Sequence, residues 1–282
     1  MSWPKPDPGA LRDIVDTHVH VWPHGLVHSG QIVKTPLAAT PADLLATMVG
    51  SGVAVTVMSP ANIHPANEYT LGAAATVPDR LRAVVGMEPR SDGAPTTLAA
   101  HADHGAIGVR ITPGSLPLAG PDDFARLGAL VDVAADRGLV VQWTARLSLT
   151  NPIEFVAARR PAVVQVLDHL GLPENGRDLG PLDRIRALAA IPTLTIKLSG
   201  MYALSTDGYP YADTWPWAEG VLDAFGPDRT MWASDWPLSG ESASHADLVA
   251  LVDRLPFLDA ATRTAILSAT ARRVWDLGPA SA

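Results

Sequence analysis

Ile14-Val15-Asp16-Thr17-His18-Val19-His20 is rich in β-branched residues and alternates with period two, and so predicts a strand. The alternation sends His18 and His20 to one face and Val19 to the other. Two imidazoles leaving one strand end side by side can grip a metal ion or polarise a carbonyl oxygen, because neutral imidazole is both a good ligand and a tunable proton donor. Paired histidines also end strands without any function. The pair therefore takes its meaning from what the rest of the chain brings beside it.

Outward from this strand the chain repeats one rhythm. A loop containing Pro, Gly and His runs from Trp22 to Thr35, long enough to cover a barrel end. Thr40-Pro41-Ala42-Asp43 starts a helix, with Thr as N-cap, Pro at the first helical position and an acid at the third, and Gly50 is expected to end it. Strand signals follow at 53–58, 81–87, 106–112, 139–143, 162–169, 194–199 and 230–235. Between them lie helical stretches from Asn67, over 96–104, over 121–137 with Asp122 and Asp123 at the positive end, and after an Asn151-Pro152-Ile153-Glu154 cap. The rhythm continues with a helix over 183–190, an aromatic segment from Tyr202 to Trp217, a helix ending near Phe225, and helical sequence from His245 to Asp276.

Eight mostly apolar strands alternating with helices predict an α/β fold, a (β/α)8 TIM barrel. The rival, an open doubly wound sheet, often carries a Gly-rich first turn, and here the first strand ends in His-Val-His. We expect one barrel domain over residues 14–282, preceded by a Pro-rich arm over 1–13.

Composition narrows the function classes. With 282 residues, 47% hydrophobic and 18% charged, the chain reads as globular, and no apolar run reaches the roughly 20 residues of a membrane span. The absence of cysteine removes disulfides, Cys-ligated zinc and thiol nucleophiles together, and leaves the cytoplasm only as the default location. A net charge of −8 without a concentrated basic run argues against a nucleic-acid partner. It is compatible with an anionic small molecule, which needs one or two arginines. Homo-oligomer formation is left open.

In a barrel, chemistry gathers at the C-terminal ends of the strands. Strand one ends in His18 and His20, strand six in Asp168-His169, strand eight in Ser234-Asp235. Strands one and eight are neighbours in a closed barrel, which puts Asp235 near the histidine pair with His169 across the mouth. Three imidazoles and a carboxylate on one face make either a metal site with an open position or a carbonyl-polarising site with its own base.

The ordered set Val15-Asp16-Thr17-His18-Val19-His20, Leu167-Asp168-His169-Leu170-Gly171, Lys197-Leu198-Ser199-Gly200 and Trp232-Ala233-Ser234-Asp235-Trp236-Pro237 resembles the amidohydrolase superfamily. More narrowly it resembles the amidohydrolase 2 branch, which includes 2-pyrone-4,6-dicarboxylate lactonase and sugar or muconolactone lactonases. The likeness runs from about Ile14 to Trp275. It implies an active centre of His18, His20, His169 and Asp235, in which the aspartate activates water and the histidines or a metal polarise the scissile carbonyl. Zinc held by these four residues is the first candidate for a single divalent ion, with metal-free action as the alternative. Arg110 matches the arginine that holds a substrate carboxylate in the pyrone lactonase.

The departures are informative. The fifth strand ends Val141-Gln142-Trp143 and offers no bridging carboxylate or lysine, so two metals are not expected. Lys197 lies inside the seventh strand with its direction left open. No arginine follows the Lys-Leu-Ser-Gly stretch, which argues against the dicarboxylate substrate. Tyr202, Tyr209, Tyr211, Trp215 and Trp217, with Trp22 and Trp143, read either as a wall for a cyclic substrate or as loop packing. Ser59, Asn62 and His64 are candidates for the pocket rim or for a turn. The expectation is a hydrolase that opens a lactone or related cyclic ester. A metal-dependent decarboxylase and a non-catalytic binding barrel are the alternatives.

Overall fold

A computed structural model describes residues 13–23, 39–61, 66–112 and 117–279. The expected Pro-rich arm up to residue 12, most of the loop after Trp22, and Asn62 and His64 lie outside the described residues. The strands are β1 (Val15–Val19), β2 (Val55–Met58), β3 (Leu81–Gly86), β4 (Ala106–Ile111), β5 (Val140–Trp143), β6 (Gln165–Leu167), β7 (Leu194–Leu198) and β8 (Thr230–Trp232). The helices are α1 (Pro41–Ser51), α2 (Asn67–Thr76), α3 (Ala94–Asp103), α4 (Gly120–Asp136), α5 (Asn151–Arg159), α6 (Leu182–Ala189), α7 (Met201–Leu204), α8 (Trp215–Phe225), α9 (His245–Arg254), α10 (Ala260–Thr264) and α11 (Thr270–Trp275).

The eight strands pair in parallel in sequence order. The last joins the first just beyond its own end, where His20 N donates to Trp236 O (2.8 Å) and Asp235 N to His18 O (2.9 Å). This is the (β/α)8 barrel that the sequence predicts. Alternation explains its two apolar layers. Val15, Val55, Val57, Val84, Val140, Val166 and Met231 come from six different strands yet form one cluster, so they fill the barrel interior, and Val274 and Trp275 of α11 plug it from below. Gly108 belongs to this plug: a Cβ there would lie 2.9 Å from Trp275 Cζ3 and 2.8 Å from Val140 O. The larger cluster fills the space between the strands and the helical ring.

Local signals explain most boundaries. Thr40 and Asp43 form a reciprocal capping box on α1, with Pro41 in the first turn. Gly50, expected to end that helix, lies inside it, and the left-handed Gly52 (φ 77°) is the stop. The expected Asn151 cap is likewise shifted: Asn151 is helical and Thr150 precedes it, without a side-chain capping bond. Strands six and eight stop short of the expected polar residues because the backbone turns left-handed there, at His169 (φ 54°) and Asp235 (φ 61°). β1 carries a register shift between Asp16 and Val19, which no simple alternation predicts.

Candidate active site

The polar residues at the strand ends converge over the apolar plug. His18 is fully buried and His20, His169 and Asp235 nearly so. His18 packs edge-on to His20 (4.8 Å between ring centroids) and tilted to His169 (4.7 Å). Asp235 Oδ1 lies 3.1 Å from His20 Nε2 and 3.7 Å from His18 Nε2, while Oδ2 lies 4.0 Å from His169 Nε2. All four residues of the sequence reading are thus brought together, with three Nε2 atoms facing one carboxylate.

Beneath them lies a second polar layer that the sequence motifs did not announce as a unit. Lys197, fully buried, points into the barrel, with Nζ 3.0 Å from Asp168 Oδ1, 3.1 Å from His18 Nδ1, and 5.6 Å from the centroid of the Trp275 ring. Asp168 Oδ2 accepts from Gln142 Nε2 (3.0 Å) and Thr144 Oγ1 (2.5 Å). Gln142, on the strand where a bridging ligand would stand, also donates to Ser59 Oγ (3.1 Å). Alternation along β5 explains why Gln142 faces inward. Its neighbour Trp143, read as a candidate wall residue, is fully buried and donates its indole N–H to Gln165 Oε1 (2.9 Å), away from the centre.

The other candidates fall as follows. Ser59 is buried below the site, and its carbonyl oxygen lies 2.7 Å from His20 Nδ1. Arg110 is almost fully buried, donating from Nε to Thr144 Oγ1 (2.8 Å) and from Nη1 to Pro60 O (2.6 Å). The acid nearest to it by ion-pair distance, Asp168, is 3.8 Å away, beyond a hydrogen bond, and Nη2 has no hydrogen-bond partner among the described residues. Tyr202 donates its hydroxyl to Asp235 Oδ2 (2.7 Å). Trp22, Tyr211 and Trp217 are buried packing residues, Trp217 bonded to Leu170 O (3.1 Å).

Electrostatics follow from burial and these contacts. Desolvation pushes His18 well below and His169 below the usual imidazole range, with the Lys197 charge adding to the effect. Burial alone would raise Asp168 and Asp235. The Lys197 charge and His18 overcome this for Asp168, and the three histidines overcome it for Asp235, so both stay below the ordinary carboxylate range. Burial lowers Lys197 and Arg110, opposed in each case by Asp168.

The donor set also fits a metal ion. Ligand atoms of His18, His169 and Asp235 lie within 4.8 Å of one another, and His18 Nε2 is a buried polar atom without a hydrogen-bond partner. A carbonyl oxygen faces His20 Nδ1, so that nitrogen carries the proton and Nε2 turns a lone pair toward Asp235 Oδ1. Two acceptors 3.1 Å apart call for a proton or a shared cation between them. Imidazole and carboxylate are a suitable set for zinc among several divalent ions. On the inner side of His18 the Lys197 ammonium already supplies a positive charge, which opposes a second ion.

The chain belongs to the amidohydrolase family, whose model matches residues 15–277. The chain is 29% identical to the 4-sulfomuconolactone hydrolase of Hydrogenophaga intermedia over 240 residues, covering 80% of this chain and 75% of that protein. It is 27% identical to the D-galactarolactone isomerase of Agrobacterium fabrum over 259 residues, covering 88% and 85%. Among solved structures it resembles one from Pseudomonas putida assigned as a 2-pyrone-4,6-dicarboxylic acid hydrolase, at TM-score 0.76 and 26% identity, covering 96% of this chain and 100% of that one. A zinc-bound amidohydrolase from Burkholderia multivorans shares the fold at TM-score 0.75 and 23% identity, covering 94% and 99%. Among the described residues no helix is long and apolar enough to cross a membrane.

Proposed function

We propose that this enzyme hydrolyses a lactone or related cyclic ester. The observation that carries the reading is the ionised, buried Asp235 facing three imidazole Nε2 atoms, beside a buried arginine whose ion pair with Asp168 is a long one, at 3.8 Å. The name of the Hydrogenophaga intermedia relative points to the same substrate class.

Asp235 takes a proton from water as the water oxygen bonds to the carbonyl carbon. Negative charge then develops on the carbonyl oxygen, next to the histidine cluster. The ring C–O bond breaks and the leaving oxygen takes the proton back from Asp235. Arg110, whose Nη2 has no hydrogen-bond partner among the described residues, orients an anionic group of the substrate. The substrate is thus a small cyclic molecule carrying a negative charge.

His18, His169 and Asp235, with His20 beside them, would hold a single divalent ion, zinc first; such an ion polarises a carbonyl and acidifies bound water. His18 itself can serve with or without it. Its Nδ1 faces two donors, Lys197 Nζ and Gln142 Nε2, and one acceptor, Asp168 Oδ1, so either tautomer is supported. One leaves Nε2 a lone pair for a cation, the other a proton for the carbonyl.

The test is acid release from a panel of γ- and δ-lactones, with elemental analysis of protein purified without chelators. Asp235→Asn should lower turnover sharply to a residual rate, and an unchanged rate would show that the base is wrongly assigned. A rearranged lactone without acid would move the reading to isomerase chemistry, as named for the Agrobacterium fabrum relative. Carbon dioxide release would move it to decarboxylation.

A further inference from the structure

We infer that Tyr202 is a positioning residue for this reaction, holding the Asp235 carboxylate in the orientation from which it accepts the proton of water. The inference rests on the hydrolase reading above and assigns a role to a residue whose sequence signal suggested an aromatic wall or loop packing. The Tyr202 hydroxyl reaches Asp235 Oδ2 at 2.7 Å, and His20 Nε2 stands 3.1 Å from Oδ1. The two oxygens therefore face different partners, and the Tyr202 hydrogen bond to Oδ2 resists rotation of the carboxylate about its own axis. A carboxylate oxygen can only accept, so the Tyr202 hydroxyl is the donor of this bond.

The backbone shows that this contact is built. Tyr202 is the second residue of α7, whose N-cap is Gly200 in the left-handed region (φ 75°). A Cβ at Gly200 would lie 2.8 Å from His169 Cβ and 3.1 Å from its Nδ1. Only glycine lets the chain leave β7 so close to His169, and that close departure is what carries Tyr202 over the carboxylate. On the far side Asp235 is itself left-handed (φ 61°), with its N–H on His18 O at 2.9 Å. The two other tyrosines of the same segment are committed elsewhere, Tyr211 to Ser242 Oγ (2.6 Å) and Tyr209 to Asp247 O (3.1 Å). Of the three, Tyr202 is the one aimed at the centre.

A carboxylate free to rotate would spend part of its time with its basic lone pairs turned away from the water, and small misplacements of a base are costly in rate. Loss of the hydroxyl should accordingly lower turnover without weakening substrate binding. The experiment uses Tyr202→Phe and Asp235→Asn, singly and together. They are assayed on the γ- or δ-lactone of the panel that the wild type opens fastest, with the melting temperature of each protein recorded.

The expected result for Tyr202→Phe is kcat reduced roughly ten- to hundredfold with KM within about twofold, at a melting temperature close to wild type. Because Tyr202 acts through Asp235, the double variant should be no slower than Asp235→Asn alone. Wild-type kcat in Tyr202→Phe, a rise in KM alone, or a loss in the double variant beyond that of Asp235→Asn would each overturn the inference while leaving the hydrolase reading intact. Full activity in Asp235→Asn, or a wild type that opens no lactone, would remove the hydrolase reading and this inference together. A marked fall in melting temperature with kcat preserved would make Tyr202 a packing residue.

Discussion

His245 Nε2 lies 2.8 Å from Asp16 Oδ2, behind the face that carries the histidines. Asp16 is fully buried, and its other oxygen accepts the backbone N–H groups of His18 (3.2 Å) and Ser234 (3.0 Å). One carboxylate therefore ties the end of β1 to the residue before Asp235, and His245, at the first turn of α9, holds that carboxylate in place. His245 is braced in turn by Ser51 Oγ of α1 at 2.8 Å. Replacing His245 by Ala leaves a buried charge with its side-chain partner gone, and should cost about 3 kcal/mol of stability. Urea unfolding would measure this. Turnover should fall as well, because the two segments that carry His18 and Asp235 lose their common anchor.

Lys197 and Asp168 form the second prediction. Both side chains are fully buried at 3.0 Å, so neither charge can be relieved by solvent. Lys197→Met should destabilise by roughly 3–5 kcal/mol, because it strands the Asp168 carboxylate. Adding Asp168→Asn removes the stranded charge, and the double variant should be less destabilised than the sum of the two single variants. A strictly additive result in urea unfolding would mean that the pair is not coupled.

The fold was legible because it follows from alternation and punctuation. Eight apolar strands separated by capped helices leave few other solutions, and the polar residues at the strand ends marked the face on which the candidate site lies. The four central residues were legible for the same reason. What lay beneath them was not. Asp16 and His245 are 229 positions apart, and no local pattern links them. The β1 register shift reverses the face that plain alternation would give Asp16 relative to His18. Nothing in the identity of His169 or Asp235 announces a left-handed backbone, which is imposed by the tertiary context. Trp143 misled for a related reason: an aromatic at a strand end reads as pocket lining, but one step of alternation turns it outward and gives the interior position to Gln142. Tyr202 could be placed near the site from its position after β7, yet its partner could be found only in three dimensions.

The loop that follows α7 should respond to acid. Asp213 has a side chain only 4% exposed, and burial by itself would raise its pKa. Hydrogen bonds from Ser205, the Thr206 backbone and Arg177 prevail and hold it at about 2. A carboxylate depressed in the folded state stabilises fully above its unfolded pKa of roughly 4, and the contribution is lost as pH falls toward 2. Melting temperature measured from pH 5 down to pH 2 should therefore fall less steeply in Asp213→Asn than in wild type, and the variant should be the less stable protein at pH 7. Parallel curves would show that Asp213 does not contribute to acid sensitivity.

Two glycines make opposite predictions. Gly200 is left-handed (φ 75°), and a Cβ there would press on the His169 ring at 3.1 Å. Gly200→Ala should cost at least about 1–2 kcal/mol from backbone conformation alone. It should also lower kcat, since relief of the contact requires α7 to shift and carry Tyr202 away from Asp235. Gly50 lies within α1, and a Cβ there meets nothing within 4 Å. Gly50→Ala should stabilise by about 0.5–1 kcal/mol, because it reduces the freedom of the unfolded chain and favours the helix, with turnover unchanged. Thermal melts and kcat of the two variants separate the explanations. If Gly200→Ala lost stability but kept its turnover, the position of α7 would matter to folding and not to the orientation of the carboxylate.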